Sequence, residues 1–239
     1  MRGQILAHTA QLVATAIALQ AGVGASAADR LTLATADSPP FSVVSPDGQT
    51  MTGTTTDLLT AALTDAGIPY TIIALPWARA LSKARNEADT CAYPAARTPE
   101  REHSFKWIGP AETNQWALFG RRGESPPSSL DQVKERTIGG SLGDAATQYL
   151  VDLGLKVDES RDDELNMRKL ETHRIDYWVN NLATGLSLTG QRGMNDIVPV
   201  LTFKEMPVYL ACNLSVPDRV VDEVTRRLQR RSAAGGTQP

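Results

Sequence analysis

The 239-residue chain sets 24 lysines and arginines against 27 acids, a formal net charge of −3 that is too mild and too mixed to suggest a nucleic acid as partner. Its two cysteines and three histidines show no metal-ligand spacing, so neither a metal nor another cofactor is expected.

Residues 1–27 come first in chain order. Arg2 is their only charge, an apolar core runs from Leu12 to Leu19, and Ala25-Ser26-Ala27 supplies the small residues that signal peptidase needs. Gln11, Gln20 and glycines break the apolar run, which is too short to span a bilayer. We read residues 1–27 as a secretory signal and the rest as an exported chain with room for one large domain or two small lobes. In an oxidising compartment Cys91 and Cys212, each in an expected strand, are either a disulfide or two buried thiols.

Strands and helices then alternate. Leu31 to Ala36 reads as a strand ending at the turn Asp37-Ser38-Pro39-Pro40, and Asp57 to Ala66 as a helix stopped by Gly67. Tyr70 to Ala74 is a strand, Ala78 to Ala88 a helix and Thr90 to Ala95 a strand. This order predicts a parallel sheet with right-handed crossovers. The pattern restarts with an extended Trp116 to Phe119, a loop at Gly123 to Ser129, and strands at Thr137 to Gly139, Lys156 to Glu159 and Tyr177 to Asn180. Helices at Asp144 to Leu153, Leu165 to Glu171 and Ala183 to Gly190 interleave with them, and a last strand, Val208 to Leu214, precedes the helix Asp218 to Arg230. Connections near Asn114 to Leu118 and Glu205 to Tyr209 would join two α/β units.

Two guanidinium groups follow the third strand. Thr98-Pro99-Glu100-Arg101 suits a helix start, with Thr98 as cap, Pro99 in the first position and Arg101 one turn inside. A guanidinium at a strand end suits a carboxylate, because its planar fork gives two parallel charge-assisted hydrogen bonds. The plain alternative is a surface helix start with solvated arginines, where an ion pair contributes only about 0 to 1 kcal/mol.

Five stretches in fixed order give the chain its resemblance. They are Asp37-Ser38-Pro39-Pro40-Phe41 with Asp47-Gly48 and Gly53 to Asp57; Asp89 to Arg101; Phe105-Lys106-Trp107-Ile108-Gly109-Pro110; Gly139-Gly140-Ser141; and Arg174-Ile175-Asp176 before a strand. With them, over most of its length, the chain resembles the extracytoplasmic solute-binding proteins of the polar amino acid uptake family, solute-binding family 3. The resemblance implies an α/β, two-lobed periplasmic binding protein fold of type II, each lobe a mainly parallel sheet flanked by helices. Residues 28–115 would begin lobe one, 116–206 form lobe two, 207–231 return to lobe one, and 232–239 remain a disordered tail.

The same resemblance implies a monomeric periplasmic protein that closes its lobes on a small carboxylated polar solute and delivers it to a membrane ABC permease or a receptor. Arg101 matches the arginine that holds the ligand carboxylate, with Arg97 as a possible second contact; Trp77 matches an aromatic wall, and Phe41 is either a second wall or ordinary core. Asp37 and Ser38 lie at a strand end on the ligand edge of a parallel sheet. Ser141, Leu142 and Gly143 precede a helix, so their amides either face an anion or belong to a plain turn with a helix cap. Asn180 and Asn181 would hydrogen-bond from lobe two. The fold would also bring Cys91 and Cys212 together as a disulfide.

Four departures bear on the ligand and the fold. Asn180-Asn181 stands where members that bind amino acids usually place an acid for the ligand ammonium, and an amide does not neutralise such a charge. Ala96 replaces a frequent hydroxyl and Pro94 a glycine, and the final helix that members usually carry is missing. The alternative on this fold is an exported dehydratase acting on cyclohexadienyl acids. It would need a general acid, for which the sequence offers Glu112 and Glu205 near the hinges.

Overall fold

The computed structural model describes residues 30–235, so the expected signal sequence lies outside the described residues. Strand β1 (Leu31–Thr35), with four of its five residues buried, pairs in parallel with β4 (Tyr70–Ala74) on one side and β5 (Thr90–Ala96) on the other. Parallel neighbours require crossovers, and these are the helices α1 (Thr54–Asp65) and α2 (Trp77–Asn86). Gly67, at φ +68°, ends α1: the Ile68 amide reaches back to the Leu63 carbonyl at 3.0 Å, a turn that calls for a left-handed residue. A small hairpin, β2 (Val43–Val44) and β3 (Met51–Thr52), leads into α1.

Two 16-residue strands join this unit to the next. β6 (Lys106–Arg121) and β10 (Ile197–Cys212) pair antiparallel from Lys106 opposite Cys212 to Arg121 opposite Ile197, with three register shifts. β5 adds to one half of this ladder, and β9 (Tyr177–Asn181) to the other. Beyond β9 lie β7 (Ile138–Ser141) and β8 (Val157–Ser160), in parallel. One eight-stranded sheet results, in the order β4-β1-β5-β10-β6-β9-β7-β8. The sequence pattern revealed only Trp116 to Phe119, near the end of β6, and the end of β10. Pro110, Pro199, Pro207 and several charges interrupt their alternation, and each strand passes from one core to another.

Helices α3 (Ala145–Asp152), α4 (Asp163–Glu171) and α5 (Leu182–Gln191) cover the second unit. Trp116, Leu118, Ile138, Leu150 and Val179 pack in one of its cores, and Phe119, Met167 and Trp178 in another. Helix α6 (Asp218–Gly235) returns to the first unit, where Val220, Val224 and Leu228, one turn apart, pack with Leu31, Leu33, Leu59 and Leu63. The helix continues to Gly235, past the expected start of a disordered tail at Ser232; Ala233 and Ala234 are strong helix formers. Residues 236–239 lie outside the described residues.

The helix expected to start at Pro99 is replaced by a turn. The Arg101 amide donates to the Thr98 carbonyl at 3.0 Å, and a single 3-10 turn, Glu102–Ser104, follows. Buried Phe105 then draws the chain back to the sheet, where β6 begins one residue later.

Cys91 and Cys212 face each other on β5 and β10 and are joined by a disulfide across 121 residues of sequence, with Cα atoms 3.9 Å apart. Replacing both by alanine should cost about 2 to 5 kcal/mol of unfolding free energy, because the bond restrains the unfolded chain over a long loop. Urea unfolding reads this as a lower midpoint with unchanged far-UV circular dichroism, and an equal midpoint would contradict it.

Candidate functional site

The cleft lies between the strand ends of the first unit and the helix starts of the second. Three hydrogen bonds cross it. Trp77, the first residue of α2, donates Nε1 to the Gly143 carbonyl at 3.0 Å, and Arg101 donates Nη2 to the same oxygen at 2.8 Å. The Ser38 and Thr184 hydroxyls meet at 3.2 Å. Gly143 has φ +74°, a conformation that favours glycine, and a Cβ there would come within 3.3 Å of the Ala78 side chain.

Around this bridge lie three cavities. The central one, about 70 Å³, is lined by Asp37, Ser38, Trp77, Ser141, Asp163 and Asn180 among others, with Asp144 and Asn181 completing its polar wall. A cavity of about 660 Å³ opens on one side of Trp77, toward Leu142, Asp163 and Arg192. Another, about 650 Å³, lies beside Arg101 and is walled by Leu81, Trp116, Tyr149 and Met206.

Arg101 is 8% exposed. Beyond Gly143, its Nη1 donates to the Ala96 carbonyl at 3.2 Å, and among the described residues no carboxylate lies at ion-pair distance from it. Burial lowers its pKa from the ordinary arginine value, Asp144 and Glu100 oppose that shift, and Arg85 adds to it. A guanidinium nonetheless stays charged in a protein. Arg97 has a different fate: its fork is filled by Glu102, with Nε to Oε2 at 2.7 Å, and its guanidinium lies over the Trp107 and Tyr209 rings.

The second unit contributes polar groups from strand ends. Ser141 donates to Asp163 Oδ1 at 2.6 Å. Asn180 is buried; its Oδ1 accepts the Asn181 amide at 2.7 Å, and its Nδ2 has no hydrogen-bond partner. Asp37 accepts the Val44 amide at 2.9 Å, which ties the turn after β1 to the small hairpin.

At two places the structure has the plainer of the two alternatives. Before α3 lies a capped turn: the Leu142 amide donates to the Ser160 carbonyl, the Asp144 amide to the Ser141 carbonyl, and Gly143 presents its carbonyl to the cleft. The Asp144 carboxylate itself caps α3, accepting from the Ala146 and Thr147 amides, and so fills the place an anion would take. Phe41 lines none of the three cleft cavities. It is buried and borders a separate hollow behind the hinge with Asn114, Leu182 and Leu186, because its carbonyl is bound by the Thr56 amide at the start of α1.

Sequence reasoning missed Asp163, Asp144, Lys204, Trp116 and Tyr149 as cleft residues. Asp144 was legible as a helix cap, but the others reach the cleft only through tertiary packing. Asp163 is the cleft acid whose pKa is raised: burial is the main cause and Asp144 adds to it, while the Ser141 hydroxyl and the nearby Asn180 and Trp178 N–H groups oppose it.

A two-lobed α/β binding protein with a polar interlobe cleft is the class that this fold and site define. The family model for bacterial extracellular solute-binding proteins, family 3, matches residues 31–169, and the chain belongs to that family. Among solved structures, a histidine kinase sensor domain with similarity to periplasmic binding proteins superposes with a TM-score of 0.80 at 16% identity, covering 87% of this chain and 92% of that one. An ancestral arginine-binding protein bound to arginine gives 0.76 at 19% identity, covering 87% and 94%. The GluR0 ligand-binding core from Nostoc punctiforme in complex with L-glutamate gives 0.73 at 21% identity, covering 86% and 94%. At these identities the likeness establishes the fold. Among curated proteins none matches the sequence.

The raised pKa of Asp163 has a consequence for stability. Its ionised form is less favourable in the folded protein than in the unfolded chain, so it costs stability once pH exceeds the ordinary value of 3.8. Asp163→Asn, which keeps an acceptor for Ser141, should raise Tm at pH 7, with the gain shrinking as pH falls toward that value. A Tm difference independent of pH would contradict the assignment.

Proposed function

We propose that this chain is a periplasmic solute-binding protein that closes its two lobes on a small carboxylated polar solute and presents it to a membrane permease. The observation that supports this most is Arg101: a buried guanidinium bonded only to two carbonyl oxygens, with no carboxylate at ion-pair distance among the described residues. Burying such a charge is costly unless an anion completes it. A ligand carboxylate is the natural completion, since it offers two oxygens to a fork that now shares one backbone carbonyl with Trp77. Ser38, Ser141, Asn180 and Asn181 would supply further hydrogen bonds, with Trp77 as the wall between subsites.

Family membership supports the binding role and the extracytoplasmic setting, which the disulfide also favours. No helix of the described residues is long and apolar enough to cross a membrane. We take the lobe boundaries to follow the ladder, with the crossings near Asn114 and Met206, which pair across it. The same closing motion would serve a receptor as well as a permease.

A dehydratase is favoured by one observation, the raised pKa of Asp163 in the cleft, which suits a general acid. The acids first considered are engaged elsewhere. Glu112 accepts hydrogen bonds from Thr54 and Thr55, and Glu205 one from Gln115. Conversion of prephenate, abolished by Asp163→Asn, would establish that reading.

Titration with L-glutamate, L-glutamine, L-arginine and simple carboxylates identifies a binder. For it, Arg101→Ala should weaken affinity by at least about tenfold, since a charge-assisted pair to a desolvated guanidinium is lost. Unchanged affinity in a folded variant would overturn the assignment of Arg101.

A further inference from the structure

Arg101 borders only one of the three cleft cavities, the one of about 650 Å³, and that volume lies within the roughly 300 to 1,000 Å³ usual for small-molecule sites. Its walls come from both units and the ladder that joins them: Leu81 from α2, Trp116 and Met206 from β6 and β10, Tyr149 from α3. The central cavity, lined by Asp37, Asp144 and Asp163, lies across the Trp77–Gly143 bridge. A carboxylate on Arg101 therefore extends its body along Trp116 and Tyr149.

The charges lining the larger cavity balance in number once Arg97 is paired with Glu102, but the remaining cations form no ion pair among the described residues. Four cations line it, Arg85, Arg97, Arg101 and Lys204, with the acids Glu100, Asp144 and Asp152. Arg97 is satisfied by Glu102. Asp144 caps α3, and exposed Asp152 accepts from Gln148 at 2.8 Å. Exposed Glu100 has its pKa lowered chiefly by the Thr98 hydroxyl. Arg85, Arg101 and Lys204 have no ion pair among the described residues. Arg85 is exposed over the Phe105 ring, whereas Lys204 is half-buried and held in place. Its Nζ sits 4.4 Å from the Tyr149 ring centroid and 6.0 Å from that of Trp116, its cross-strand partner, while Phe203 stacks on Tyr149 from 6.2 Å. Aromatic faces orient an ammonium but leave it without a counter-charge.

We propose that this cavity binds a dianionic ligand of the dicarboxylate class, with one carboxylate on Arg101, the second on Lys204 and the connecting chain against Trp116 and Tyr149. This rests on the solute-binding reading above and names the class of solute. Lys204 stands on the hinge ladder between the two units, so the second carboxylate would be met by the element that closure bends.

Calorimetric titration of the exported chain with succinate, glutarate and adipate, and with the monocarboxylates of equal length, tests the proposal. At least one dicarboxylate should bind about tenfold or more tighter than its monocarboxylate counterpart. Lys204→Met should remove that advantage by weakening the dicarboxylate far more than the monocarboxylate, Lys204→Arg should retain it, and Arg101→Ala should weaken both classes. Equal binding of the two classes, or a Lys204→Met protein that still prefers the dicarboxylate, overturns the proposal. If Arg101→Ala still abolishes binding in that case, the solute-binding reading stands. If L-glutamate binds about tenfold or more tighter than glutarate, the ammonium is recognised and the dicarboxylate assignment fails.

Discussion

The antiparallel ladder between β6 and β10 is the constraint on which the molecule depends. Two strands of 16 residues, at about 3.3 Å per residue, run for about 50 Å and belong to both units at once. β5 and β9 attach to opposite halves, so each unit inherits its orientation from the same pair of strands. The cleft is the space this arrangement leaves between β-strand ends of one unit and helix starts of the other. Trp116 and Lys204, paired across the ladder, are therefore cleft residues because they are hinge residues.

Within that frame the Gly143 carbonyl oxygen has a dual role. It holds the lobes together by accepting from Trp77 and Arg101, and it occupies part of the guanidinium that a ligand would claim. On the proposed function, an incoming carboxylate would compete with the protein's own backbone, and its affinity would be net of that internal bond. Because the same oxygen divides the acid-lined space from the aromatic one, its displacement would also merge two cavities that differ in charge.

Much of the fold was legible in the sequence. The alternation of apolar runs and Gly67 gave the first strands and helix, and behind them the motif order gave the two-lobed class. Strand β1 and the helices α1 and α2 lie within three residues of their expected bounds because local periodicity and caps determine them. The long strands were hidden, since a strand that changes cores midway loses the alternation that marks it. Residues of the site divided in the same way. Arg101 and Trp77 follow strand β5 and proline Pro76 in local motifs and were found. Phe41, in an equally conspicuous turn, borders a separate hollow with Asn114 and Leu182, a placement that follows from tertiary contacts such as the Thr56–Phe41 hydrogen bond. Asp163 and Lys204 were invisible because nothing near them in sequence says what faces them across the cleft.

The disulfide between Cys91 and Cys212 makes the chain a closed covalent ring from β5 through the whole second unit to the end of β10. A peptide bond broken anywhere inside that ring leaves every residue attached, and both ends of the first unit remain side by side. Cleavage in the second unit would thus pass unseen on a gel without reductant. Wherever a protease meets the chain, the same bond turns a severing cut into a local one.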